Sequence, residues 1–145
     1  MYAPIVDDYK QLIDQHTDRD VFGLNCGDIF WDTPATFFPP YIDKAKKLDI
    51  PIYRAIGNHD IDCNGATHET SYRTFEGYFG PTHYSFNKGN AHYIVINNNF
   101  YVGREYFYIG YVDETTFKWL EEDLSYVPKG TLVFLSLIHI SEPTR

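Results

Sequence analysis

Cysteine is nearly missing from this sequence: 145 residues carry two, too few for a disulfide scaffold. Long apolar runs are missing as well. The longest apolar-dominated stretch, 131–140, falls short of the roughly 20 residues a bilayer-spanning helix needs, and nothing at the start reads as a signal peptide. There is no basic run. Lys and Arg number 12 against 20 Asp and Glu, for a net charge of −8. That balance argues against a nucleic-acid sheath, whose affinity comes from neutralising phosphates. It leaves room for a small phosphorylated substrate, because a bound metal inverts the local field. Internal repeats and low-complexity tracts are also absent.

What is there is globular: 43% apolar, 22% charged and 18% aromatic residues, at a length that suits one domain with a proper core. Val6, Tyr9, Leu12 and Ile13 recur at helical spacing near the start. The apolar run 21–26 ends in Gly27-Asp28 and reads as a buried strand closed by a turn. Residues 41–48 read as a helix, with Pro39-Pro40 at or just before its start. The run 50–56 is a second strand, ending in Gly57-Asn58-His59-Asp60. Strand, helix, strand makes a βαβ unit. In the second half, 84–86 and 91–97 flank a hairpin signal at Asn87-Lys88-Gly89-Asn90. Asp113 caps a helix with a stripe of Phe117, Leu120 and Leu124 and its acids in solvent, and 131–135 begins another buried strand. The expected class is α/β or α+β, a mixed sheet system flanked by helices.

The chemistry concentrates at two loop tips. Asp28 and Asn58 each follow the carboxyl end of a strand, and one crossover joins the strands. Adjacent parallel strands lie about 4.8 Å apart, so both side chains emerge at the edge where open α/β sheets bind ligands. Asp28 offers a hard anionic oxygen, Asn58 a hard neutral one, and His59 an imidazole, a set suited to manganese, iron or zinc. With Asn58 facing a metal, His59 can face the ligand instead, as a general acid or hydrogen-bond donor. Gly27 and Gly57 permit tight turns. Asp60 either orients His59 from behind or closes the turn. Asp32 is a further acid of that supporting kind, although capping or turn formation is the simpler role.

Other features carry less. Asp60-Ile61-Asp62-Cys63-Asn64-Gly65 opens like a calcium loop, but Ser71 stands where a bidentate glutamate is needed. Cys26, at a buried strand end, and Cys63 read as free thiols, His92 as a core histidine, and His16 and His68 as surface residues. The Tyr/Phe cluster of 100–111 either packs against the sheet or forms a stacking platform for a glycan or another protein.

Gly27-Asp28 and Gly57-Asn58-His59-Asp60 resemble two signature blocks of the calcineurin-like metallophosphoesterases. The stretch from Phe79-Gly80-Pro81-Thr82-His83-Tyr84-Ser85-Phe86 through Ala91-His92-Tyr93-Ile94-Val95-Ile96 resembles a bacterial branch of that family, as does Trp119-Leu120-Glu121-Glu122-Asp123-Leu124. The resemblance runs from about residue 3 to 134. It implies an α/β/β/α sandwich that hydrolyses phosphate mono- or diesters with two divalent ions, manganese, iron or zinc. In it the residue matching Asp28 bridges both ions, that matching Asn58 binds the second, and that matching His59 assists the leaving group. The family's opening Asp-x-His or Asp-x-Gln block would precede Met1, and its later Gly-His-x-His block is absent, so the expectation is a partial catalytic domain over 1–134, inactive or nearly so by itself. Some members of the branch carry an export signal ahead of that opening block, so the sequence leaves the compartment open. Residues 135–145 resemble the translation of a sequencing-library adapter and read as a non-native tail, which takes His139 out of the candidate set.

Overall fold

A computed structural model of the chain describes residues 3–30, 34–65, 67–105 and 107–138. Asp32 and His139 lie outside the described residues. The chain is a mixed α and β structure, with four α-helices and three small sheets among those residues.

Helix α1 (Ala3–Asp14) follows the expected apolar spacing and carries a Lys10–Asp14 ion pair one turn apart at 2.7 Å. Strand β1 (Gly23–Asn25) leads through helix α2 (Pro34–Ala45) and a short 3-10 turn (Lys46–Leu48) to β2 (Ile52–Arg54). β1 and β2 pair in parallel with Gly23 opposite Ile52, and the Ala55 N–H donates to the Asn25 carbonyl at 2.8 Å. The expected βαβ unit is therefore present, but its helix starts earlier than residue 41. Pro39 and Pro40 lie inside α2 rather than ahead of it. Both prolines are exposed, as are Ala35 and Thr36, whose carbonyls lose their usual helical donors, so the missing bonds fall on the solvent side of the helix. Fully buried Phe38 anchors the helix, its ring edge-on to Phe79 of helix α3 (Arg73–Phe79) at 4.7 Å.

The second half builds a mixed sheet. Strand β3 (Tyr84–Lys88) and β4 (Ala91–Val95) form the expected antiparallel hairpin, and β7 (Leu132–Ser136) pairs in parallel with β4. Asp113 caps helix α4 (Glu114–Ser125) by accepting from the Thr116 N–H at 2.7 Å. The Tyr84 hydroxyl accepts from the Arg54 N–H at 2.8 Å and donates to the Arg54 carbonyl at 3.0 Å, so a side chain rather than a strand occupies that part of the β2 edge. Stacked rings join the two halves, Tyr53 on Phe86 and Phe86 on Tyr93, with Phe134 beyond Tyr93 at 4.8 Å. The core is Ile29, Phe38, Ile56, Ile61, Phe75 and Tyr101.

Several expectations fail here. β7 is not buried: Leu132 is 58% and Phe134 45% exposed, because no described residue covers the far side of this outermost strand. It ends at Ser136, one residue beyond the expected 131–135. The α4 stripe is half in solvent, with Phe117 51% exposed. Cys26 is exposed rather than buried. The aromatic segment 100–111, for which no strand was expected, contributes most of strands β5 (Asn99–Gly103) and β6 (Phe107–Gly110), paired antiparallel.

Candidate functional site

Two backbone turns meet at the carboxyl ends of β1 and β2. The Asn25 side-chain oxygen accepts from the Gly27 N–H at 3.0 Å, folding the chain back at once after β1. Gly27 (φ 99°) and Asp28 (φ 51°) are successive left-handed residues, a conformation that glycine adopts freely and aspartate tolerates better than most. The turn pushes Asp28 against the second tip. A Cβ on Gly57 would stand 2.1 Å from the Asp28 nitrogen and 2.2 Å from its Oδ1. Only glycine at position 57 permits this approach. Asp28 Oδ1 accepts from the His59 N–H at 3.1 Å, so its carboxylate spans the tip on which Asn58 sits.

Asp60 fastens the arrangement from below. It is fully buried; its Oδ1 accepts from the Ile29 N–H and its Oδ2 from the Gly57 N–H, both at 2.9 Å. One carboxylate thus holds both tips. Burial pushes its pKa up to about 6 against the opposing pull of these backbone donors, and the nearby Asp28 charge raises it further. Of the two roles considered for Asp60, turn closure is the one its contacts describe, and both oxygens are engaged there rather than on the His59 ring.

Asn58 is 8% exposed, and its side-chain amide makes no hydrogen bond to any described residue. Its amide atoms stay within reach of water, unlike the Oδ1 of Asn99. Asp28, by contrast, is exposed and keeps acceptor capacity beyond the His59 contact. His59 is half-buried beside them. The structure brings Asp28, Asn58, His59 and Asp60 together; Asp32 falls outside the described residues. Among those residues no group of three or more His, Cys, Asp and Glu side chains is placed to hold an ion.

Two contributors escaped sequence reasoning. The Asn99 Nδ2 donates to the carbonyl of Ile56, the residue just before Gly57, at 3.1 Å, while its buried Oδ1 has no partner among the described residues. Three consecutive amides, Asn97 to Asn99, at the end of an apolar run were the available signal. Tyr108 is the other: burial and then the Asp28 charge push its phenol above the usual value, which keeps the O–H protonated in the field of that carboxylate. His68 is half-buried rather than a surface residue, stacked on Phe100 at 4.3 Å. The calcium-loop pattern is ruled out by its own first two acids, since Asp60 is spent on backbone donors and Asp62 Oδ2 accepts from the Thr74 N–H in α3. An apolar hollow of about 890 Å³ lies elsewhere, between α1, β1 and α2, and touches this site only at Asp28. No family model matches this chain, and no curated protein matches it.

Proposed function

We propose that the chain is part of a metal-dependent phosphoesterase that hydrolyses phosphate mono- or diesters, on a sandwich of the calcineurin-like kind. The observation that carries this reading is the Asn58 side chain, which makes no hydrogen bond to a described residue and keeps its amide open to a ligand, beside an open carboxylate that glycine at 57 allows to sit within hydrogen-bond reach of the same tip. A carboxylate and a neutral amide oxygen fit one borderline-hard divalent ion, such as manganese, iron or zinc. They do not complete a two-ion centre, so residues 1–145 act slowly or not at all unless further donors are supplied. Asp28 and Asn58 hold the ion and His59 faces the phosphate ester, donating to a phosphoryl oxygen or to the leaving group. A divalent ion supplies Lewis acidity for attack of water on phosphorus. Asp60 and Asn99 keep the tips in register without touching substrate.

The alternative, a binding module that presents 100–111 to a glycan or a protein, is weakened by where those rings go. Tyr101 is 5% exposed, Phe100 lies on His68, and Phe107 and Tyr108 pack on the core. The test is manganese binding by paramagnetic relaxation, with turnover of p-nitrophenyl phosphate and its bis-ester. Asp28→Ala and Asn58→Ala are expected to abolish binding, and His59→Ala to spare binding but lower any turnover. Equal manganese binding by wild type and all three variants sinks the proposal.

A further inference from the structure

We propose that Arg54 and the rings around it form a binding site for a small carboxylate carried on a flat apolar body, such as an aromatic acid. A cavity of about 270 Å³ opens beside β2, lined by Ile52, Tyr53, Arg54, Phe79, Pro81 and Tyr84. Arg54 is the only charged residue among these six, and its guanidinium is fixed from several sides. Nε donates to the Tyr41 hydroxyl at 3.3 Å and Nη1 to the Ile52 carbonyl at 2.8 Å. The Cζ atom stands 5.4 Å from the centre of the Tyr41 ring and 4.9 Å from that of Phe79. The backbone beneath is pinned as well, its N–H and C=O both engaged by the Tyr84 hydroxyl. A guanidinium held in this way has little freedom left to lose when a ligand binds.

What Arg54 lacks is an anion. Lys10, Lys46, Lys88 and Lys118 each meet a carboxylate. Arg54 is half-buried, yet no carboxylate among the described residues pairs with it, in a chain whose acids outnumber its bases 20 to 12. Ring faces offset the lost hydration of a cation only in part. A guanidinium carries five N–H donors, and its two hydrogen bonds leave three without a partner among the described residues. A carboxylate takes two of them in the planar fork that arginine presents. The remaining walls choose the body of the ligand. Ile52, Tyr53, Phe79 and Pro81 offer ring faces and aliphatic surface, and the Tyr84 hydroxyl is already spent on the Arg54 backbone. The cavity is slightly smaller than most ligand pockets, which suits a single ring with its acid group. Phosphate is the poorer occupant, because its oxygens need more donors than one guanidinium supplies and these walls add no second cation.

The experiment is a titration of sodium benzoate into the whole 145-residue chain, followed by heteronuclear NMR at the Arg54 Nε–H and backbone amide. No metal is added, so the outcome is separate from that of the phosphoesterase reading. Both signals should shift saturably, with half-saturation at about 1 mM or below, a modest affinity for a ligand of this size. Arg54→Met, read at the amide of residue 54, should weaken binding about tenfold or more, the loss of a charge-assisted hydrogen bond. Benzyl alcohol, the same ring without the charge, should bind more weakly by a similar factor, and inorganic phosphate should not saturate the site. The absence of a saturable shift, benzyl alcohol or phosphate binding as tightly as benzoate, or full affinity in Arg54→Met overturns the proposal. If that variant does not fold, the comparison of the three ligands on the wild-type chain decides.

Discussion

Gly27 and Gly57 meet backbone to backbone: a Cβ built on Gly27 would lie 2.9 Å from both the Cα and the nitrogen of Gly57. The atoms in the way are main chain on both sides, so neither tip can yield by turning a rotamer. Gly57→Ala is the more severe change because its Cβ would fall 2.1 Å from the Asp28 nitrogen. We expect it to destabilise the fold by about 3 kcal/mol, at the upper end for overpacking. Gly77→Ala is the control. It sits in α3 with nothing within 4 Å of the added atom, and should raise stability by up to about 1 kcal/mol. Urea unfolding of both variants checks the contrast; equal costs would mean that the tips are not in contact.

Asp60→Asn tests whether one carboxylate joins the tips. The amide keeps one acceptor and turns an NH2 toward either Ile29 or Gly57, whose N–H groups both need an oxygen. A cost of about 1–3 kcal/mol is expected for the stranded buried donor. The amide of His59, held by Asp28 Oδ1, should exchange faster as the tips separate. Unchanged exchange at His59 with a full stability loss would confine Asp60 to one tip.

How far the sequence disclosed this follows from the range of each interaction. That Asp28, Asn58 and His59 lie together was legible because strand ends and glycine turns are local signals. The Asp113 cap and the β3–β4 hairpin are local as well, and both appear where the pattern put them. α2 was misjudged at its start because proline is read as a local helix breaker, while the burial of Phe38 against α3 is tertiary and outweighs it. β5 and β6 were missed because aromatic residues crowd both faces of 100–111 and erase the two-residue alternation. β7 was read as buried from apolarity alone; exposure depends on what lies beside a strand. The Asn99–Ile56 link spans 43 residues, and no sequence spacing announces it.

The buried polar link between the β3–β4 hairpin and α4 should behave as one unit. His92 Nε2 stands 2.7 Å from Asp123 Oδ2, its Nδ1 stands 2.8 Å from Asn87 Oδ1, and the Ser85 hydroxyl donates to Asp123 Oδ1 at 2.5 Å. Removing Asp123 leaves a buried imidazole and a hydroxyl without their acceptor. Asp123→Ala should cost about 3 kcal/mol, within the range for breaking a buried pair. The loss in the double variant with His92→Ala should fall well short of the sum of the two single losses. Strict additivity in thermal unfolding would show that the two side chains act independently.

His68 gives the fold a pH dependence of known sign. Burial lowers its pKa below the ordinary value, outweighing the nearby Glu69 and Asp113 charges that pull it up. Its Nδ1 accepts from the Tyr101 N–H at 3.2 Å while the ring lies against Phe100, so the neutral ring is the form that fits. The unfolded chain takes up a proton near pH 6.5 and the folded chain only at lower pH. The contribution of His68 is therefore complete above that value and is lost as pH falls through the folded pKa. His68→Gln keeps an oxygen that can accept from Tyr101 but has no titration. Wild-type stability should fall more steeply than that of the variant on acidification below about pH 6.5, and the two curves should run parallel above it. Parallel curves throughout the acid range would mean that His68 titrates alike in the folded and unfolded chains.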